Sequence, residues 1–203
     1  MKVSVIKIDP ANPDKRKIAI AAKVIREGGL VVFPTETVYG IAANLLDGNA
    51  VERLYKVKAR PERKPFTVHI SDLRMIRDMG CEITGTAEKL MAEFWPGPLT
   101  IILKSHKGEK VGFRMPADKV ALELIRASGV PVIAPSANLS GRSAPATAEE
   151  AMADLEGKVD MVIDGGRTKV GLESTVVDLT VNPFKVLRAG AIKKEELSKA
   201  VNG

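Results

Sequence analysis

Side chains able to do chemistry are densest between Gly29 and Pro65, where the loop PTETVYG (Pro34 to Gly40) precedes a basic run, Lys56-Val57-Lys58-Ala59-Arg60-Pro61-Glu62-Arg63-Lys64. Thr35, Thr37, a carboxylate and a tyrosine crowd that loop where the chain leaves an apolar run. Gly40 permits a backbone approach that a side chain would block. Pro61 disfavours helix at Arg60, so the cations project from a helix end and an extended loop. Three further loops offer hydroxyls, amides or a guanidinium: Pro135 to Gly141 (PSANLSG), Gly171 to Thr175, and Arg188 to Gly190. Taken singly, each reads equally as a turn or a helix cap, and the basic run as a solvated helix end. Together they suit one cleft at the strand ends of an α/β sheet, with lysine as a compact charge and arginine as a planar fork for a polyphosphate.

The same residues exclude several chemistries. There is no GxxxxGK[ST] and no GxGxxG after a strand, so a nucleotide site here is neither a P-loop nor a dinucleotide fold. Ser136 and Ser174 lack the GxSxG setting of a hydrolase nucleophile and read as binding groups. His69, alternating with apolar Val68 and Ile70, is a buried residue beside the basic loop. Arg114 interrupts the apolar strand VGFRMP and needs an anionic partner. One cysteine, Cys81, and two histidines provide no zinc-type cluster, so no protein-held metal is expected.

These groups need a scaffold, and the sequence supplies one. Its 203 residues, 45% hydrophobic and 28% charged, fit a single globular domain spanning 1–203. A net charge of +6 admits a nucleotide or polyanion partner, whereas one Trp, two Tyr and five Phe are few for a stacking platform on single-stranded nucleic acid. The short apolar N-terminal run and the lack of any long apolar stretch predict a cytoplasmic protein without membrane association.

Strands are expected over Val3 to Ile8, Leu30 to Phe33, Phe66 to Ile70, Leu99 to Leu103, the VGFRMP segment, Val130 to Ala134, Asp160 to Asp164, Ser174 to Leu179 and Lys185 to Leu187. Helices are expected over Asp14 to Glu27, after Asp47, from Ser71-Asp72 to Met79, and over Thr84 to Phe94, Asp118 to Ala127, Thr147 to Leu155 and Lys193 to Val201. Strands and helices alternate early, and short turns join later strands. The fold class is therefore α/β, an open twisted sheet of mixed parallel and antiparallel strands flanked by helices.

In order along the chain, PTETVYG, Lys58-Ala59-Arg60-Pro61 with Pro65, FWPGPLT, GFRMP, PSANLSG, ESTVVD and LRAG resemble the threonylcarbamoyl-AMP synthase family, the YrdC-like domain. Ile41 and Phe66 stand where leucine is common, and Ala59 where glycine is common; the polar groups are intact. The chain stops soon after LRAG and is similar to the single-domain form. The resemblance implies synthesis of threonylcarbamoyl-AMP and pyrophosphate from L-threonine, bicarbonate or CO2, and ATP, towards threonylcarbamoyladenosine in tRNA. It implies an ATP set of Lys58, Arg60, Lys64, Ser136, Asn138 and Arg188, with Lys58 and Arg60 catalytic. It implies an L-threonine set of Thr35 or Thr37, His69, Arg114, Ser174 and the backbone at Ala134, with Arg114 on the carboxylate. Mg2+ would accompany the triphosphate, held largely by phosphate oxygens and water. A downstream threonylcarbamoyl transferase complex would take the product, and tRNA is a possible partner. The rival classes are an RNA-binding module without turnover, holding tRNA or duplex RNA by its phosphates, and a carbamoyl-handling relative such as that of hydrogenase maturation.

Overall fold

In the central strands, successive apolar side chains feed two different cores, which makes the sheet the middle layer. The computed structural model describes residues 3–59 and 65–202. In chain order its elements are β1 (Ser4–Lys7), α1 (Lys15–Arg26), β2 (Val31–Phe33), β3 (Gly40–Asn44), α2 (Gly48–Lys58), β4 (Val68–His69), α3 (Arg74–Asp78), α4 (Gly85–Phe94), β5 (Leu99–Lys104), β6 (Lys110–Arg114), α5 (Lys119–Ser128), β7 (Val132–Ile133), α6 (Ala148–Leu155), β8 (Met161–Asp164), β9 (Thr175–Asp178), β10 (Lys185–Arg188) and α7 (Lys194–Asn202).

Val31 and Phe33 of β2, Ala42 of β3, Val132 of β7, and Met161 and Ile163 of β8 share one core with Ile18, Ala21, Ala22 and Ile25 of α1 and Val120, Ala121 and Leu124 of α5. Their sequence neighbours Val32, Ile41, Ala43, Ile133 and Val162 belong to the other core, with Leu54 of α2, Leu90 of α4, Leu155 of α6 and Leu197 of α7. A period of two thus divides the strands between opposite layers of helices. Each fully buried Leu, Ile, Val or Phe contributes about 1.5–3 kcal/mol of transfer free energy.

The sheet runs β1-β8-β2-β3-β7-β4-β6-β5-β9-β10 and is open, with β1 and β10 at its edges. The pairs β1/β8, β8/β2, β4/β6 and β5/β9 are parallel. The pairs β2/β3, β3/β7, β7/β4, β6/β5 and β9/β10 are antiparallel, so the mixed sheet expected from the sequence is the one formed. Helix starts follow the capping residues: Asp14, Asp47, Thr84, Asp118 and Thr147 each accept from a backbone N–H in the first turn that follows. None of the described helices is long and apolar enough to cross a membrane.

The sequence reading passes from the PTETVYG loop straight to the helix after Asp47, and so misses β3. All five residues of GIAAN are buried, which erases the alternation that marks a strand, and Gly and Ala carry little β propensity. The strand exists because β2 and β7 flank it on both sides. Two expected strands contract, Phe66 to Ile70 becoming Val68–His69 and Val130 to Ala134 becoming Val132–Ile133. The brief helix of the 71–79 segment begins at Arg74, whose N–H donates to Asp72 Oδ1 at 2.8 Å.

Candidate active site

The PTETVYG and PSANLSG loops meet because β3 and β7, the strands beside them, are neighbours, whereas the Gly171 to Thr175 and Arg188 to Gly190 segments come from β9 and β10 at the far end of the sheet. β2 ends at Phe33 and its antiparallel partner β3 begins at Gly40, so Pro34 to Tyr39 caps that pair. An isolated bridge between Gly40 and Ser136 draws the PSANLSG loop alongside. A Cβ at Gly40 would lie 3.2 Å from Phe33 Cε1 and 3.4 Å from the Pro135 carbonyl oxygen, so any larger residue would have to push the Phe33 ring aside. Tyr39 ties in a third loop: its hydroxyl donates to the Gly166 carbonyl at 2.6 Å and accepts from Gly165 N–H at 3.2 Å. Burial pushes this phenol up to about 12, so it stays protonated and a donor at neutral pH. The Val170 and Gly171 N–H groups then donate to the Glu36 and Thr37 carbonyls, each at 2.9 Å. The LRAG turn packs so tightly on the same segment that a Cβ at Gly190 would fall 2.4 Å from the Glu173 carbonyl oxygen.

Val38 and the Pro135–Ser136 turn border a cleft of about 710 Å³ that lies over the strands, a volume suited to a nucleotide-sized ligand. His69, Arg114, Ala134, Ser136, Ser174 and Arg188 line it, and so do Thr67, Thr100, Lys110 and Glu173, which the sequence reading did not single out. Arg60 and Lys64 lie outside the described residues.

Arg114 is buried, and its Nη2 donates to Glu36 Oε1 at 2.8 Å and to Thr37 Oγ1 at 2.7 Å, while Nε donates to the Gly97 carbonyl at 3.4 Å. Nη1 makes no hydrogen bond among the described residues. Glu36 is therefore the anion that a cation in this strand demands. The sequence signal was the lone carboxylate of PTETVYG, noticed without a partner assigned to it. Thr35 and Thr37 divide their roles: Thr35 Oγ1 donates to the Val38 carbonyl at 2.7 Å and shapes the loop, whereas Thr37 holds the arginine.

His69, 3% exposed, stands edge-on to Phe33 with ring centroids 6.4 Å apart. Burial first, and the Arg114 charge second, drive its pKa down to about 3 from 6.5. The unfolded chain therefore takes up the proton first as pH falls. Stability is whole above about 6.5 and is lost between there and about 3, at roughly 1.4 kcal/mol per pH unit. A His69→Gln variant followed by urea unfolding from pH 7 to pH 4 should show a shallower acid limb than the parent; parallel limbs would contradict a buried neutral imidazole.

Lys58 and Asn138 stand behind the PSANLSG loop. Lys58 is 2% exposed, and its Nζ donates to the Ser136 carbonyl at 2.6 Å, to Asn138 Oδ1 at 3.1 Å and to the Asn138 carbonyl. The Lys58 carbonyl accepts from Ser140 N–H at 3.0 Å, and Asn138 Nδ2 donates to the Arg142 carbonyl at 2.6 Å. The C-terminal end of α2 is thus bolted to the loop. Ala59, which caps α2, holds φ 47° and ψ 43°, a left-handed conformation that costs a non-glycine residue about 1–2 kcal/mol. This is the position where the resemblance led to glycine.

Arg188 donates from Nε to the Ser174 carbonyl at 3.0 Å, from Nη2 to Ser174 Oγ at 3.0 Å and from Nη1 to Glu173 Oε1 at 2.7 Å. Lys110 pairs with Asp178 at 2.8 Å. Among the described residues no group of three or more His, Cys, Asp or Glu gathers as a metal site.

A hollow over the face of β4, β6, β5 and β9, its described cations held by carboxylates and its walls bearing hydroxyls, defines a ligand-binding α/β domain for a small molecule with an anionic group. Comparison with known proteins narrows that class. The model of the Sua5, YciO and YrdC family, described as "Telomere recombination", matches residues 23–190, and the chain belongs to this family. It is 46% identical over 194 residues to threonylcarbamoyl-AMP synthase of Pyrococcus abyssi (strain GE5 / Orsay), covering 91% of this chain and 57% of that one. It is 41% identical over 203 residues to the Bacillus subtilis (strain 168) protein of the same name, covering 95% and 59%. The crystal structure of P. abyssi Sua5 complexed with L-threonine superimposes with a TM-score of 0.92 at 44% identity, covering 97% of this chain and 60% of that one. The chain thus spans less than two thirds of the length of these relatives.

Proposed function

We propose that residues 1–203 form one catalytic unit that makes threonylcarbamoyl-AMP and pyrophosphate from L-threonine, bicarbonate or CO2, and ATP. The observation that carries this reading is the convergence of Arg114, Ser174, Arg188 and Ser136, from distant parts of the chain, on one cleft. It is supported by the threonine complex of a structural neighbour and by the names of the similar proteins.

In this reading Arg114 pairs with the threonine carboxylate, with Thr37, Ser174, His69 and the Ala134 backbone around the amino acid. Thr35 holds the loop that presents Thr37. Ser136, Asn138 and Arg188, with Lys58, Arg60 and Lys64, serve the triphosphate; Lys58 acts by setting the position of the Ser136 to Asn138 loop. The threonine amine captures CO2 as a carbamate, one carbamate oxygen attacks the α-phosphorus, and pyrophosphate leaves. The step needs alignment and charge neutralisation more than a protein nucleophile. Magnesium would arrive with ATP, held largely by phosphate oxygens and water. The product would pass to a threonylcarbamoyl transferase complex acting on tRNA in the cytoplasm, a setting that the lone free Cys81 suits.

RNA binding without turnover is not favoured. Among the described residues each cation lining the cleft is matched by an acid, Arg114 with Glu36, Lys110 with Asp178 and Arg188 with Glu173, an arrangement that suits one small anion better than a long phosphate backbone. The deciding experiment mixes purified protein with ATP, threonine and bicarbonate and seeks the acyl adenylate by mass spectrometry. The adduct should form only with all three present. Salt-sensitive RNA binding with no adenylate would overturn the reading.

A further inference from the structure

The FWPGPLT segment places a buried hydroxyl in the cleft wall that the roles above leave unused. Thr100 of β5 is 2% exposed and lines the cleft, and its Oγ1 lies 2.9 Å from Ser174 Oγ. The position is set by the sheet, since β5 runs parallel to β9 with Leu99 opposite Thr175, the residue after Ser174.

Proton direction follows from counting donors. A guanidinium only donates, so Ser174 Oγ accepts from Arg188 Nη2. Thr100 Oγ1 has no acceptor other than Ser174 Oγ among the described residues. A hydrogen aimed at Ser174 Oγ, 2.9 Å away, keeps its partner whether or not the cleft is filled, so the Thr100 hydroxyl is taken as the second donor. Both lone pairs of Ser174 Oγ are then occupied, and its own hydrogen is free to turn into the cleft.

We propose that Thr100 is a positioning residue which, with Arg188, fixes Ser174 as a hydrogen-bond donor to an oxygen of the bound amino acid. The inference rests on the proposed function and deepens it. It makes Arg188 part of amino-acid recognition as well as of phosphate binding, and it adds a specificity determinant in the rigid sheet behind the mobile ligand.

Thr100→Val keeps the shape and deletes the donor, whereas Thr100→Ser keeps the donor. The expected result is a threonine KM about tenfold higher for the valine variant, near parental for the serine variant, with kcat at saturating threonine, the ATP KM and the melting temperature unchanged in both. An unchanged threonine KM in Thr100→Val would overturn the proposal. So would equal loss in both variants, or a parallel rise in the ATP KM, since either marks a packing role. Calorimetric titration of the parent chain with L-threonine separates the two levels: a parent that binds no threonine refutes the proposed function itself, and a parent that binds it while Thr100→Val binds equally well refutes only the role of Thr100.

Discussion

Arg114→Ala is expected to lower threonine-dependent pyrophosphate release by about 10²–10³-fold, the range for losing a charged group from a water-poor site. The same change should also cost about 3–5 kcal/mol of stability, because it strands the Glu36 carboxylate, 7% exposed, without its cation. The two losses have different origins, and a double variant separates them. Arg114→Met with Glu36→Gln removes both charges and keeps most of the volume, so urea unfolding should return most of the lost stability while pyrophosphate release stays down. Recovery of both would mean that Arg114 serves the fold alone; a stable and fully active Arg114→Ala would remove the carboxylate-binding role assigned to it.

The second large effect is expected at Lys58. Lys58→Met deletes an ammonium that donates to the Ser136 carbonyl and to Asn138, leaving buried acceptors unpaired at about 1–3 kcal/mol. The loop would lose its tie to α2, and adenylate formation should fall by about 10²-fold or more, since displaced positioning groups cost that much without touching the reacting atoms. Lys58→Arg should not restore it, because a planar fork does not fit a site shaped around a compact charge. Hydrogen exchange over residues 136–141 should accelerate in Lys58→Met. Parental turnover in that variant, or unchanged exchange with lost turnover, would separate Lys58 from the loop.

Much of the scaffold was legible from local chemistry. Asp14, Asp47, Asp118 and Thr147 announce helix starts because a short polar side chain satisfies N–H groups that the helix itself cannot, and this depends on only three or four residues of context. β3 was not legible because nothing in GIAAN is periodic; its identity is conferred by β2 and β7. The same reason hid half of the site. Glu36 meets Arg114 across 78 residues of chain and Thr100 meets Ser174 across 74, so each partner looked like an isolated group in the sequence. Ser174, Arg188 and Ser136 were reached through their motifs; Glu36 of PTETVYG and Glu173 and Asp178 of ESTVVD stood in quoted motifs too, but nothing in those short stretches says which distant cation each acid holds.

The way Lys58 is gripped also bears on what this pocket keeps in reserve. Two of the oxygens that receive its ammonium are peptide carbonyls, of Ser136 and Asn138, and every amino acid carries one. The grip on Lys58 therefore does not use the Ser136 hydroxyl, which stays available to the ligand while the backbone beneath it is held.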